Sequence, residues 1–132
     1  MNGARNTSAT DASMGASITG NAISAITSTT RGAYGIQTNN AAGATLTITG
    51  NTISGLTGSW VHGIGIEGDA PGLTIDHNVI SGLTAAVIDK VAVFFQDDAS
   101  YADAEVHRNS IDVGPTAFGV AANFAPRSMS GW

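Results

Sequence analysis

Apolar and polar residues recur along the chain in one short phrase that appears four times. In each copy, an Asn has an apolar residue three positions before it and another two positions after it. The Asn residues are 30, 27 and 31 positions apart, so the pattern predicts a repeat protein. The four phrases are Ile18-Thr19-Gly20-Asn21-Ala22-Ile23-Ser24, Ile48-Thr49-Gly50-Asn51-Thr52-Ile53-Ser54, Ile75-Asp76-His77-Asn78-Val79-Ile80-Ser81 and Val106-His107-Arg108-Asn109-Ser110-Ile111-Asp112.

Each phrase predicts two short strands that meet at the Asn. Side chains alternate with period two along a strand, so the two apolar positions share a face only if the chain bends between them. Asn tolerates a left-handed backbone, and Gly precedes it in the first two copies, which favours a corner at the Asn. A further β-rich run follows each phrase, at residues 33–36, 63–66, 91–94 and 117–120.

The repeats are expected to stack on one another. A repeat of several short strands with no helical period cannot bury its apolar face alone. Stacking places the four Asn side chains in one column, where each amide can donate a hydrogen bond to the amide of the next repeat. The predicted ladder consists of Asn21, Asn51, Asn78 and Asn109.

The phrase apolar-x-x-Asn-x-Ile-Ser, followed by a Gly-Ile strand, resembles the coil repeat of the right-handed parallel β-helix proteins of the pectate-lyase-like family. The resemblance covers roughly residues 16–122 and implies an all-β fold, a right-handed parallel β-helix (solenoid) of about four coils. We therefore expect one domain over residues 1–132, with a cap or tail at 1–15 and another at 123–132. A leucine-rich repeat, the structural alternative, would need Leu where this chain has Ile, Thr and Ser.

Composition and charge narrow the classes of partner. Although 42% of residues are apolar, no window approaches the roughly 18 uninterrupted apolar residues of a membrane span. The net charge of −5 comes from scattered acidic residues, and there is no basic patch, so nucleic acid is not an expected partner. The absence of Cys excludes disulfides, thiolate metal sites and Cys nucleophiles.

The first residues lack the apolar stretch of a secretory signal peptide. Two explanations stay open: the chain is not exported by that route, or it is part of a longer protein. In either case, an extracellular surface or a virion is the favoured location.

Polar side chains replace Thr and Ser on the outward positions of the last two repeats. If the residue three before each Asn points inward, Asp76, Glu105 and His107 form an exposed cluster. Asp76 and His107 are then neighbours on adjacent strands, about 5 Å apart. Such a cluster suits general acid–base chemistry on a glycan. The alternative is that these are surface polar residues that only pair with one another.

A second acidic group suggests a cation site. Glu67 and Asp69 follow one Gly-Ile strand, and Asp97 and Asp98 follow the corresponding run in the next repeat. Converging carboxylates are ligands of the kind that Ca²⁺ prefers, although Asp is also frequent in loops because it forms turns. No cofactor other than Ca²⁺ is indicated.

Aromatic residues provide the candidates for a contact surface. Phe94 and Phe95 are consecutive on a predicted strand, so they cannot both point inward. Together with Trp60 they are the expected ligand or interface residues.

Two classes of function follow. The favoured class is a non-enzymatic structural or binding β-helix module, such as a surface, spike, adhesin or virion component, that contacts glycans or other protein subunits. The alternative is a fragment or small relative of a polysaccharide lyase or glycoside hydrolase acting on an acidic or neutral glycan. Short connections favour the first class, because a catalytic cleft needs walls. We also expect self-association or incorporation into a larger protein assembly, and resemblance to viral β-helix spikes implies a trimer.

Overall fold

The structure, a computed structural model, describes residues 16–39, 45–86, 90–96, 101–112, 114 and 118–122. Every regular element in this part of the chain is a β-strand, so it contains no apolar helix long enough to cross a membrane. The strands are β1 (Ala16–Thr19), β2 (Ala22–Ser24), β3 (Ala33–Asn39), β4 (Leu46–Thr49), β5 (Thr52–Gly58), β6 (Val61–Glu67), β7 (Thr74–Asp76), β8 (Val79–Ala85), β9 (Lys90–Phe95), β10 (Glu105–His107), β11 (Ser110–Asp112) and β12 (Phe118–Ala122).

The strands form three four-stranded sheets. The first sheet has the order β1-β4-β7-β10, the second β2-β5-β8-β11 and the third β3-β6-β9-β12. Neighbouring strands within each sheet are parallel. The chain therefore visits the three sheets in the same order in each repeat, and the prediction of an all-β fold with stacked parallel strands is confirmed.

Apolar side chains from all three sheets meet in one buried cluster. Ile48 and Ile75 of the first sheet, Ile53 and Ile80 of the second and Ile64 of the third have no exposed surface. The register places Ile48 beside Ile75 and Ile53 beside Ile80. The positions three before and two after each Asn are thus the inward positions, as the spacing predicts.

The corner lies where it was expected, but the left-handed residue precedes the Asn. In the second repeat β4 ends at Thr49 and β5 begins at Thr52, so the turn consists of Gly50 and Asn51. The backbone φ is positive at the residue before each Asn, where it is 67° at Gly20, 65° at Gly50, 51° at His77 and 50° at Arg108. This geometry lets the backbone N–H and the side chain of each Asn point along the stack together.

The Asn ladder is continuous through all four repeats. The backbone N and Nδ2 of Asn21 both donate to Oδ1 of Asn51, each at 2.9 Å. Asn51 donates to Asn78 in the same way at 3.0 and 2.9 Å, and Asn78 donates to Asn109 at 2.9 and 2.9 Å. Nδ2 of Asn51 also donates to the carbonyl of Ile18 in the preceding repeat, at 2.9 Å. The predicted ladder is confirmed, and Asn51 and Asn78 are fully buried within it.

Two glycines of β6 have different packing roles. A Cβ at Gly63 would lie 2.7 Å from the carbonyl oxygen of Ala92 and 2.7 Å from Cγ2 of Ile80. A Cβ at Gly65 would meet nothing closer than the ring of Tyr34, at 3.6 Å. Close packing between the second and third sheets therefore requires glycine at position 63 and not at position 65.

We predict that Asn51→Leu lowers the free energy of unfolding by about 1–3 kcal/mol, because it leaves the buried amide oxygen of Asn78 without its side-chain donor and the amide groups of Asn21 without their acceptor. Asn21→Leu, at the exposed end of the ladder, is the control and should cost less. Urea unfolding of both variants measures the difference. Equal losses would contradict a structural role for the buried ladder.

We further predict that Gly63→Ala destabilises the protein by about 1–3 kcal/mol, because its methyl group overlaps a backbone oxygen that cannot move freely. Gly65→Ala, on the same strand, is the matched control and should have nearly the wild-type melting temperature. A Gly63→Ala variant as stable as Gly65→Ala would show that the two sheets are less tightly packed than described.

Candidate functional site

Candidate side chains gather in two places within the described residues. One is on the first sheet and its corner, and we call it the Asp76 cluster. The other is on the outer face of the third sheet, and we call it the aromatic row. The Asp76 cluster consists of Asp76, His77, Glu105, His107 and Arg108, and the aromatic row consists of Tyr34, Trp60, His62 and Phe94.

The register brings the three predicted polar candidates together. His107 pairs with Asp76 on the adjacent strand, and Glu105 pairs with Thr74. Nδ1 of His107 lies 3.9 Å from Oδ1 of Asp76, and Nε2 of His107 lies 3.6 Å from Oε2 of Glu105. Asp76 and His107 are thus neighbours on adjacent strands, and His107 lies between the two carboxylates.

The expectation that Asp76 is exposed is wrong, because two corner residues cover its carboxylate. Arg108 donates from Nε to Oδ1 at 3.0 Å and from Nη2 to Oδ2 at 2.7 Å. Nδ1 of His77 lies 2.8 Å from the same Oδ2. Only 12% of the Asp76 side chain remains exposed. His77 thus contributes to covering the carboxylate from the corner.

The electrostatics of the cluster keep Asp76 ionised. Burial raises the pKa of this carboxyl, but hydrogen bonds from Arg108 and His77 and the positive charge of Arg108 outweigh burial. The pKa therefore lies below its usual value of 3.8. A general acid for glycoside hydrolysis needs a raised pKa, so Asp76 is poorly suited to donate a proton at neutral pH. The geometry favours the alternative in which these side chains pair with one another.

The aromatic row follows the stacking direction across three repeats. Tyr34 pairs with His62 in register, and their rings meet edge to face with centroids 5.3 Å apart. The His62 ring stacks on Phe94 with centroids 4.2 Å apart and planes 18° apart. Phe94 pairs in register with Gly65. Nε1 of Trp60 donates to the Tyr34 hydroxyl at 2.9 Å, so the rings form one connected surface.

Polar groups border the aromatic row. Gln37 pairs in register with Gly65 and so shares a column with Phe94. Its Nε2 donates to Oε1 of Glu67 at 2.5 Å. Tyr34 and Phe94 are partly exposed beside this pair. The surface therefore combines ring faces with an amide, a carboxylate and a phenol.

The two consecutive phenylalanines have opposite environments. Phe95 has no exposed surface, and its ring lies 4.9 Å from that of Tyr101 in the core. Period-two alternation directs Phe94 outward and Phe95 inward. Phe95 is therefore not a ligand or interface residue, and that part of the prediction is wrong.

Tyr101 closes the core behind Phe95. Its hydroxyl donates to the carbonyls of Ile66 at 3.2 Å and Gln96 at 3.1 Å. Burial raises the pKa of Tyr101 to about 12, and so the phenol stays protonated and keeps donating.

The carboxylates proposed for calcium are only partly described. Glu67 accepts the hydrogen bond from Gln37, and Asp69 is exposed two residues later. Asp97 and Asp98 lie outside the described residues. The part of the chain that is described contains no group of three or more His, Asp or Glu side chains placed so that they could hold a metal ion, and calcium binding stays a prediction.

Four residues of the two surfaces were not among the sequence candidates. Tyr34 and His62 each precede a Gly-Ile pair, and aligning these pairs would have placed them in one column. His77 and Arg108 occupy the position held by glycine in the first two repeats. A long polar residue in a glycine position was the signal that could have found them.

Comparison with protein-family models, with curated proteins and with solved structures finds no match for this chain. Fold class alone does not define function. The function is therefore inferred from the chemistry of the two surfaces.

We predict that Asp76 makes the stability of the protein depend on acidic pH. Because its pKa is lower in the folded than in the unfolded state, its contribution is complete above the unfolded value of 3.8 and is lost as pH falls through the folded value. Asp76→Asn should be less stable than wild type at pH 7, and the difference should shrink toward pH 2. Urea unfolding at a series of pH values measures it.

Glu105→Gln is the control for this prediction, since it removes an exposed carboxylate of the same cluster and leaves the Asp76–Arg108 pair in place. It should retain the pH dependence due to Asp76. A constant difference between wild type and Asp76→Asn at all pH values would contradict the pairing.

Proposed function

We propose that the chain is a right-handed parallel β-helix of the pectate-lyase-like type and that it acts as a non-enzymatic binding module for glycans. The helical arrangement is supported by the repeated order in which the chain visits the three sheets and by the single core that they share. The glycan-binding role is supported by the aromatic row.

The aromatic row has the chemistry of a sugar-binding surface. The rings of Tyr34, His62 and Phe94 come from successive strands, which are about 4.8 Å apart in a sheet. Ring faces contact the C–H groups of sugars, and an extended polysaccharide along the stack would meet the partly exposed rings of Tyr34 and Phe94, which the buried His62 ring joins. This connected row of rings is the observation on which the proposal rests.

The bordering polar groups add hydrogen-bonding specificity. Binding sites combine apolar and aromatic surface with a few fixed polar groups. Gln37 and Glu67 are held against each other beside Phe94, and the Tyr34 hydroxyl is oriented by Trp60. An amide, a carboxylate and a phenol can each bond to sugar hydroxyls. Their fixed positions reduce the entropy lost on binding.

A binding role agrees better with the Asp76 cluster than catalysis does. The carboxylate of Asp76 accepts hydrogen bonds from Nε and Nη2 of Arg108 and is hydrogen-bonded to Nδ1 of His77. A lyase or hydrolase would need a carboxyl or base that is free to exchange protons with its substrate. The pairing of Asp76 therefore supports the favoured, non-enzymatic class of function.

A glycan is favoured over a protein partner on the sheet faces. Among the described residues, Val79 is the one large apolar residue that is exposed, with 43% of its surface accessible. Stable protein interfaces bury a larger apolar centre than this surface offers. The side-by-side trimer, and a location on a cell surface or virion, stay predictions.

We predict that the protein is retarded in native gels containing a polysaccharide that it recognises, tested over a panel of neutral and acidic polymers. Phe94→Ala should weaken this binding by about tenfold, since it removes the stacked ring. Val79→Ala, an exposed apolar residue of the second sheet, is the control and should bind as wild type. The size of the polymer should not change during incubation.

Retardation that is equal in Phe94→Ala and wild type would remove the aromatic row as the binding surface. Shortening of a polysaccharide by the purified protein would support the enzyme alternative instead.

A further inference from the structure

The Asn ladder has a direction, and its two ends are complementary. At every step the backbone N–H and Nδ2 of one Asn donate to Oδ1 of the Asn in the next repeat. Asn21 begins the ladder, and its own Oδ1 accepts no hydrogen bond from the described residues. Asn109 ends the ladder, and its backbone N–H has no acceptor among them. One end thus presents an acceptor and the other a donor.

We propose that this complementarity joins copies of the chain head to tail, with Asn109 of one copy donating to Oδ1 of Asn21 in the next copy. The partner is a second copy of this chain, and the contact depends on the ends of the stack and not on the ring faces of the aromatic row. The ladder would continue across the junction with the same geometry that it has between repeats.

The sheets are able to continue across the same junction. The outer strands at one end are β1, β2 and β3, and those at the other end are β10, β11 and β12. Within the chain, Val106 pairs with Ile75 and Ile111 pairs with Ile80, always three before and two after an Asn. The same register would place Ile18 and Ile23 of the next copy beside Val106 and Ile111. Unpaired strand edges favour this kind of parallel addition.

The apolar core is also incomplete at both ends. Ile53 and Ile80, in the middle repeats, have no exposed surface. Their counterparts Ile23 in the first repeat and Ile111 in the last are only partly buried. Stacking of a second copy would bury these side chains as the middle repeats bury theirs.

The terminal segments do not match these ends as well as a second copy does. Residues 1–15 contain Asn6, but the positions three before and two after it are Gly3 and Ser8, which are not apolar. Asn123 directly follows a strand of the third sheet, whereas the ladder runs between the first and second sheets. Asn123 does have apolar residues three before and two after it, Val120 and Ala125. Each ladder Asn, however, follows a strand of the first sheet, which Asn123 does not.

A head-to-tail contact uses two different surfaces and does not close on itself unless the rotation between copies forms a ring. A straight stack therefore grows into open oligomers without a fixed number of subunits. This distinguishes the proposed contact from a side-by-side trimer.

The experiment uses Ser24→Pro to block one end. The carbonyl of Asn21 and the N–H of Ala25 both bond to the second repeat. Successive residues of a strand direct their backbone groups to opposite neighbours, so the N–H of Ser24 points toward the open edge. Proline removes this N–H and is tolerated on edge strands. Ser24→Ala, which keeps the N–H, is the matched control. Asn21→Leu removes the ladder acceptor and serves as a second test if the proline variant does not fold.

Sedimentation velocity at increasing protein concentration measures assembly. For wild type and Ser24→Ala, we expect a weight-average mass that rises continuously with concentration. Ser24→Pro and Asn21→Leu should each weaken this association by about tenfold or more. A monomer at all concentrations, a complex of fixed mass, or growth that neither variant weakens would overturn the proposal.

Discussion

Hydrogen bonding between the buried Asn side chains is the constraint on which this structure depends. The amide oxygens of Asn51, Asn78 and Asn109 each accept from both the backbone and the side chain of the preceding Asn. The amide nitrogens also donate to backbone carbonyls. A buried amide without partners costs about 1–3 kcal/mol, so shifted registers that leave Asn51 or Asn78 unpaired are disfavoured. Because the Asn lies between the first and second sheets, its position determines which residues of both sheets face the core.

The fixed register of the strands also determines which side chains meet on the outer faces of the sheets. The inward positions repeat Ile, Val and Leu, whereas some outward positions of the first and third sheets change from repeat to repeat, as from Thr49 to Asp76. Adjacent strands therefore bring unlike side chains together: Asp76 meets His107 on the first sheet, and Phe94 lies over Gly65 beside His62 on the third. A repetitive core supports two chemically different surfaces because side chains on opposite faces of a strand do not compete for the same space.

The residue before each Asn connects backbone geometry with charge. It must have a positive φ, which glycine adopts without strain and larger residues do not. The first two repeats have Gly20 and Gly50 there, and the last two have His77 and Arg108. Both of these residues contact Asp76, and their hydrogen bonds cover its carboxylate and lower its pKa. A turn position has thereby become part of an ion-pair cluster.

The amino-acid sequence by itself determined the repeat, the inward positions, the corner and the Asn column, because each depends on local spacing and on the period of a strand. It also placed Asp76 beside His107, since equal phrases align when they stack. Only the tertiary structure decided that Asp76 is covered, that Phe95 is in the core and that Tyr34, Trp60, His62 and Phe94 form one surface. Their contacts join residues about one repeat apart, and they depend on how long side chains fold over a sheet, which spacing along the chain does not specify.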